Sequence, residues 1–173
     1  ALMQQTLIER GFDVTAGVAG MPTAFIAQYS PADQTEDGEH KPVIGLLAEM
    51  DALPSMGVLN TSDKQPIITN GYVHPGHACG HNLFAGGVIG AALSLADYLD
   101  THPNQGSLKV FGAPAEEGGS GKVYLVKAGV FEDVDVVSEE ITGYSVSIND
   151  SFSVALDVSL SEKLKEEGLA REF

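Results

Sequence analysis

Gly76-His77-Ala78-Cys79-Gly80-His81-Asn82 gathers two histidines and the single cysteine of the chain into seven residues. An apolar pattern follows at once, with Phe84, Val88, Ala92, Leu95 and Leu99 at helical spacing, so Leu83 to Asp100 is expected to be a helix. Gly86, Gly87 and Gly90 fall inside it, each costing roughly 1 kcal/mol relative to alanine. Close packing against a sheet is the expected reason for keeping them. Cys79 and His81 are two apart and project to one side if the segment is extended. A thiolate and an imidazole on a loop that opens a helix can begin a metal site.

Working outward, Pro42 to Glu49 is a nearly continuous apolar run, as expected for a strand covered on both faces. It runs into Glu49-Met50-Asp51-Ala52-Leu53-Pro54, so carboxylates stand at its carboxyl end, where open α/β sheets place ligands. Ser107 to Ala113 reads as a second strand, ending at Pro114-Ala115-Glu116-Glu117-Gly118-Gly119. Gly121 to Gly129 reads as a short helix and Val134 to Val137 as a third strand. Toward the N-terminus, Leu2 to Arg10 is a helix stopped by Gly11, and Phe12–Val18 and Thr23–Tyr29 are short strands. Strands alternating with helices predict an α/β three-layer sandwich with a largely parallel sheet. Ser55 to Pro75 is a long polar loop of the kind that often serves function.

From Ser138 onward the character changes. Thr142–Ile148 and Ser151–Val158 suggest a hairpin around Asn149-Asp150, and Leu160–Phe173 an acidic amphipathic helix. The chain therefore divides into residues 1–137 and a tail, 138–173.

The 173 residues suit one domain with a sizeable core, and 43% apolar against 19% charged residues argue for a globular protein. A net charge of −15 argues against nucleic acid or anionic membranes as partners. One cysteine excludes an internal disulfide and fits a reducing compartment such as the cytoplasm. No signal peptide or membrane-length apolar run is visible, and with a helical pattern already under way at Ala1 a natural N-terminus further upstream is an expectation.

Hydrolysing an amide requires a polarised carbonyl, a nucleophile at neutral pH and a proton carrier; a metal supplies the first two and a carboxylate the third. Glu116 and Glu117 can divide that labour, one ligating metal while the other reaches water. Ordinary alternatives stand beside this. Adjacent glutamates also occur as solvated charges at a helix start, and a lone cysteine as a small buried hydrophobe. A cysteine nucleophile and a non-catalytic α/β module for structure or interaction are rival functions.

Four segments then carry a resemblance: Ala48–Pro54, His77–Asn82, Ala113–Gly119 and Ala128–Asp135. In order and spacing they resemble the catalytic domain of the zinc aminoacylase and carboxypeptidase family of co-catalytic metallopeptidases. The branch is that of amidohydrolases, including aminobenzoyl-glutamate hydrolase. The resemblance implies a partial zinc-exopeptidase-like domain that hydrolyses N-acyl or N-aroyl amino acids, a small-molecule substrate class, with homo-oligomerisation left open. It implies Cys79, His81 and Glu117 as ligands of a divalent metal, zinc ahead of manganese or cobalt. Glu116 becomes the general base, and Asp51 a residue that supports the ligands. Two departures matter. The family carries a metal-binding histidine just after the third strand and another near its C-terminus, whereas no histidine follows His102 here. Its inserted dimerisation domain is also missing. The implied outcome is weak metal affinity and little turnover. Roughly Glu132 to Phe173, notably Ser138–Gly143, Val154–Asp157 and Glu167–Glu172, is similar to a C-terminal piece of isoleucyl-tRNA synthetase, which implies a junction near Val137.

Overall fold

Ser107–Ala113 (β6) is buried along its whole length, because it is flanked by strands on both edges and covered on both faces. The structure, a computed structural model, describes residues 1–35, 37–141 and 144–148. The remaining elements are α1 (Leu2–Glu9), β1 (Asp13–Ala16), β2 (Phe25–Tyr29), β3 (Val43–Glu49), β4 (Ile68–Thr69), β5 (Tyr72–Val73), α2 (His81–Thr101), α3 (Glu116–Gly119), α4 (Gly121–Lys127), β7 (Val136–Ile141) and β8 (Tyr144–Ile148). The main sheet has the order β1-β2-β6-β3-β7-β8.

Among the described residues, parallel pairing is confined to the centre, β6 with β3 and β3 with β7; the pairs β1/β2, β2/β6 and β7/β8 are antiparallel. The sheet is thus mixed rather than largely parallel, because the short N-terminal strands form a hairpin that adds onto β6. The α/β layering itself holds. One face carries Phe25, Ala27, Leu108 and Val110 against Leu7 of α1 and Val88, Ala92, Ala96 and Leu99 of α2. The other carries Leu47, Phe111 and Ala113 against Leu125 of α4, with Val134 and Val137.

Side chains alternate strictly between those two cores, the period-two geometry of a strand. Two glycines in the sheet answer bulky neighbours. A Cβ on Gly112 would collide with the ring of Phe25, its partner across the β2/β6 pair. A Cβ on Gly45 would meet Phe111 and Val134 at 3.0 Å. On the same face the buried ammonium of Lys109 reaches the carboxylate of Asp133.

Helix α2 begins at His81 and commits Ala85, Val88, Ile89, Ala92, Ala96 and Leu99 to the core. It is long and apolar enough by length and composition to cross a membrane, contrary to the expectation from the sequence. Its packing against β3 and β6 is that of a core helix. Gly86, Gly87 and Gly90 lie on its exposed face, where an added Cβ meets nothing within 4 Å. The expectation that they allow close packing on the sheet is overturned.

Within the loop of residues 55–75, β4 and β5 form a small hairpin across Asn70-Gly71, both at positive φ (51° and 78°). Asn-Gly is the sequence suited to such a turn, so the expected plain loop carried a hairpin signal of its own. In the tail, the strand expected at Thr142–Ile148 is present as Tyr144–Ile148, but it pairs with β7. The turn expected at Asn149-Asp150 lies outside the described residues. Position 137 lies inside β7. The strand expected at Ser151–Val158 and the helix expected at Leu160–Phe173 lie outside the described residues.

Candidate metal centre

The register of β3 against β6, from Val43 opposite Ser107 to Glu49 opposite Ala113, brings the carboxyl ends of the two strands level. Glu49 and Asp51 therefore leave β3 beside the point where Glu116 and Glu117 leave β6. Ala115 takes a left-handed turn (φ 61°), after which Glu116–Gly119 forms one helical turn. That turn gives the two glutamates a common side, where a continued strand would have made them diverge.

The third contribution comes from the N-terminal end of α2. Cys79 and His81 converge as expected, though through a turn instead of an extended segment: the Gly80 N–H bonds to the His77 carbonyl at 3.2 Å, and Gly80 sits at φ 87°. Cys79, His81 and Glu117 form one group of possible metal donors, and Glu49, His81 and Glu116 a second. Within each group the donor atoms lie within 4.8 Å of one another. The five residues assigned by sequence, Asp51, Cys79, His81, Glu116 and Glu117, are thus brought together. His77 is exposed and belongs to neither group.

His81 is the centre of this arrangement, and its side chain is only 3% exposed. Its Nδ1 lies 3.2 Å from both the backbone oxygen and Oδ1 of Asp51. Both partners are acceptors, so Nδ1 carries a proton and donates it. The other nitrogen, Nε2, faces Glu49 Oε2 at 3.1 Å, Glu116 Oε2 at 3.8 Å and Glu117 Oε1 at 4.0 Å. A lone pair on Nε2 against three carboxylates is repulsive unless a proton or a cation lies between them. The remaining oxygen of Glu49 is held by the ammonium of Lys122 in α4. Neither Glu49 nor Lys122 was given a role from the sequence. Glu49 was legible as an acidic group at a strand end, whereas Lys122 carried no signal because only the α4 packing brings it to the strand.

Asp51 ties the three segments together. Its Oδ2 accepts the Glu117 backbone N–H at 3.0 Å while Oδ1 faces His81. Burial pushes the Asp51 carboxyl up, but the N–H groups of Glu117, Asp51 itself and Glu116, with His81, outweigh it and leave the carboxyl below its ordinary value. Cys79 moves the opposite way. Its thiol donates to Glu117, and partial burial and the charges of Glu117, Glu116 and Glu49 all favour the neutral form. A raised thiol in an acidic surrounding is the reverse of an activated cysteine, which argues against the cysteine-nucleophile rival.

The donor set fits a divalent metal. Among the described residues, Glu117 Oε1 is buried without a hydrogen-bond partner, an arrangement that normally costs stability and calls for a counterpart. Sulfur, imidazole nitrogen and carboxylate oxygen are the donors zinc accepts. The Nδ1–H donation to Asp51 is the support that metal-ligating histidines ordinarily show. A cation would also reverse the local bias against the thiolate.

Residues 45–158 match the family model for peptidase family M20/M25/M40. The chain is 38% identical over 133 residues to a p-aminobenzoyl-glutamate hydrolase subunit of Escherichia coli, covering 77% of this chain and 26% of that protein. It is 38% identical over 120 residues to the Xaa-Arg dipeptidase of Mus musculus, covering 68% of this chain and 23% of that one. The chain thus spans about a quarter of the length of these curated relatives. Its fold is similar to that of the Bacillus subtilis YXEP protein, a dinuclear metal binding peptidase, with a TM-score of 0.60 at 24% identity, covering 80% of this chain and 34% of that one. With the family match spanning most of the sequence, this chain belongs to peptidase family M20/M25/M40.

Proposed function

We propose that this chain carries the metal-binding strand ends of an amidohydrolase acting on N-acyl or N-aroyl amino acids. The observation that carries the proposal is the cluster around His81 Nε2: a thiol and three carboxylates, of which Glu49 is paired with Lys122 while Glu117 keeps a buried oxygen unpartnered among the described residues, an excess of negative charge that a divalent metal would offset. Cys79, His81 and Glu117 would hold the ion, zinc ahead of manganese or cobalt because a thiolate is the softest donor present. When bound, the metal polarises the scissile carbonyl and brings the pKa of water to about 7. Glu116, with a side chain 40% exposed, is open to water. It takes the proton from water on its carboxylate and returns it to the leaving nitrogen, the role of a general acid–base. Asp51 keeps His81 in the tautomer that leaves Nε2 free to bind. The substrate class is supported by the curated relatives, which include p-aminobenzoyl-glutamate hydrolase and N-acetyldiaminopimelate deacetylase.

Three protein donors are fewer than the ligands that a co-catalytic centre needs, and no histidine follows His102. The chain by itself is therefore proposed to bind metal weakly and turn over slowly. Elemental analysis after zinc loading, combined with an amidase assay on acyl-glutamates, tests both statements. The metal reading requires bound zinc that Glu117→Ala abolishes. Fast turnover abolished by Glu116→Gln would overturn the proposed weakness of the isolated chain while upholding the assignment of Glu116.

A further inference from the structure

The two groups of donors share one residue and, in fact, one atom. Because His81 Nδ1 is engaged by Asp51, only Nε2 remains, and a single imidazole nitrogen binds one ion. The Cys79/His81/Glu117 and Glu49/His81/Glu116 groups are therefore alternatives for that nitrogen. Glu49 is the nearest carboxylate to it, at 3.1 Å, closer than Glu116 at 3.8 Å or Glu117 at 4.0 Å. By proximity alone Glu49 should capture the ion. Yet Glu49 has a cation already: its Oε1 is in contact with the ammonium of Lys122.

We propose that Lys122 is a positioning residue that, by neutralising and holding Glu49, directs the metal bound at His81 to the Cys79 and Glu117 side. This rests on the metal reading above. Lys122 sits in the first turn of α4, and its side chain is 34% exposed while that of Glu49 is 15% exposed. The ammonium therefore reaches the pair from the solvent side, and the carboxylate is the more buried partner. A buried carboxylate paired with an ammonium is a poorer ligand than an unpaired one, since a second cation must compete with the first for the same oxygens. On the other side, Glu117 Oε1 has no hydrogen-bond partner among the described residues, and the charges that act on the Cys79 thiol are carboxylates.

Cobalt(II) is the probe, because a cobalt–thiolate bond gives a charge-transfer absorption that carboxylate and imidazole ligands do not. The wild-type chain, titrated with cobalt(II), should show that absorption. Lys122→Met should bind cobalt(II) with the absorption per bound ion reduced by roughly threefold or more, the scale of coupling for residues in direct contact. Lys122→Arg should restore it, and Glu49→Gln introduced into Lys122→Met should restore it as well. A merely structural role for Lys122 would predict no rescue by Glu49→Gln. Thermal melts of each variant without metal show which are folded. If Lys122→Met is not, the comparison of Glu49→Gln with Lys122→Met/Glu49→Gln decides, the two having to match. Undiminished absorption in Lys122→Met overturns the inference and leaves the metal reading intact. A wild-type chain that binds no cobalt(II) overturns both.

Discussion

His81 donates through Nδ1 to the backbone oxygen and the Oδ1 of Asp51, each at 3.2 Å, and Oδ2 of that carboxylate accepts the Glu117 N–H at 3.0 Å. One side chain thus orients a histidine from the start of α2 and the turn after β6. Replacing it should disturb both. Asp51→Asn leaves one oxygen for two donors and presents an NH2 group to one of them. Zinc affinity, measured by competition with a chelating dye, is expected to fall by about 10- to 100-fold, as for other residues that support metal ligands. Unchanged affinity would remove Asp51 from the site.

Glu117 offers the clearest separation of stability from function. Its buried Oε1, unpartnered among the described residues, is a liability without metal. Glu117→Gln removes one of the neighbouring carboxylate charges while keeping the shape, so the metal-free chain should gain up to about 1 kcal/mol from relieved repulsion. The same variant should lose the stabilisation that zinc confers on the parent. Melts with zinc and with chelator measure both, and a variant still stabilised by zinc would contradict the ligand assignment.

The exposed glycines of α2 make a prediction of opposite sign to the one their sequence suggests. Gly86, Gly87 and Gly90 lie in a helix interior with open space at the Cβ position. Alanine at each should stabilise by about 0.4–1 kcal/mol, because the unfolded chain loses freedom while nothing in the folded one clashes. Urea denaturation of the three single variants checks this. A loss of stability would mean that another part of the protein packs on this face.

Acid sensitivity should be visible at the opposite end of the sheet. Asp135 accepts the Val43 N–H at 2.8 Å and contacts His40 Nε2 at 2.7 Å, and these bonds hold its carboxyl below the ordinary value. A depressed folded-state pKa means that the stabilisation is complete above the unfolded-state value and disappears as pH falls through the folded one. Asp135 is more than a third exposed, so solvent screening keeps the effect within about 1 kcal/mol. The stability difference between the parent and Asp135→Ala should therefore shrink on acidification and with added salt. A difference independent of pH would show that the carboxylate charge is not what matters.

Much of this was readable in the linear chain. The apolar runs at Val43–Glu49 and Ser107–Ala113, the helix after His81 and the presence of metal-donor groups at Cys79, His81, Glu116 and Glu117 follow from local composition and spacing, which act within a few residues, whereas the separate roles of those four were implied by the family resemblance. Strand direction does not follow from composition and spacing. A buried strand looks the same whether its neighbours run with it or against it, so only the antiparallel pairings β1/β2, β2/β6 and β7/β8 showed the sheet to be mixed. The outward position of the α2 glycines was equally hidden, because a helix with apolar residues all round leaves its buried face to be chosen by the sheet. Tertiary structure also decided which partners the donors keep. The packing of α2 on β3 brings His81 to Glu49, and the packing of α4 brings Lys122 to Glu49. These contacts join residues 32 and 73 positions apart, and short-range sequence patterns carry no information at that separation.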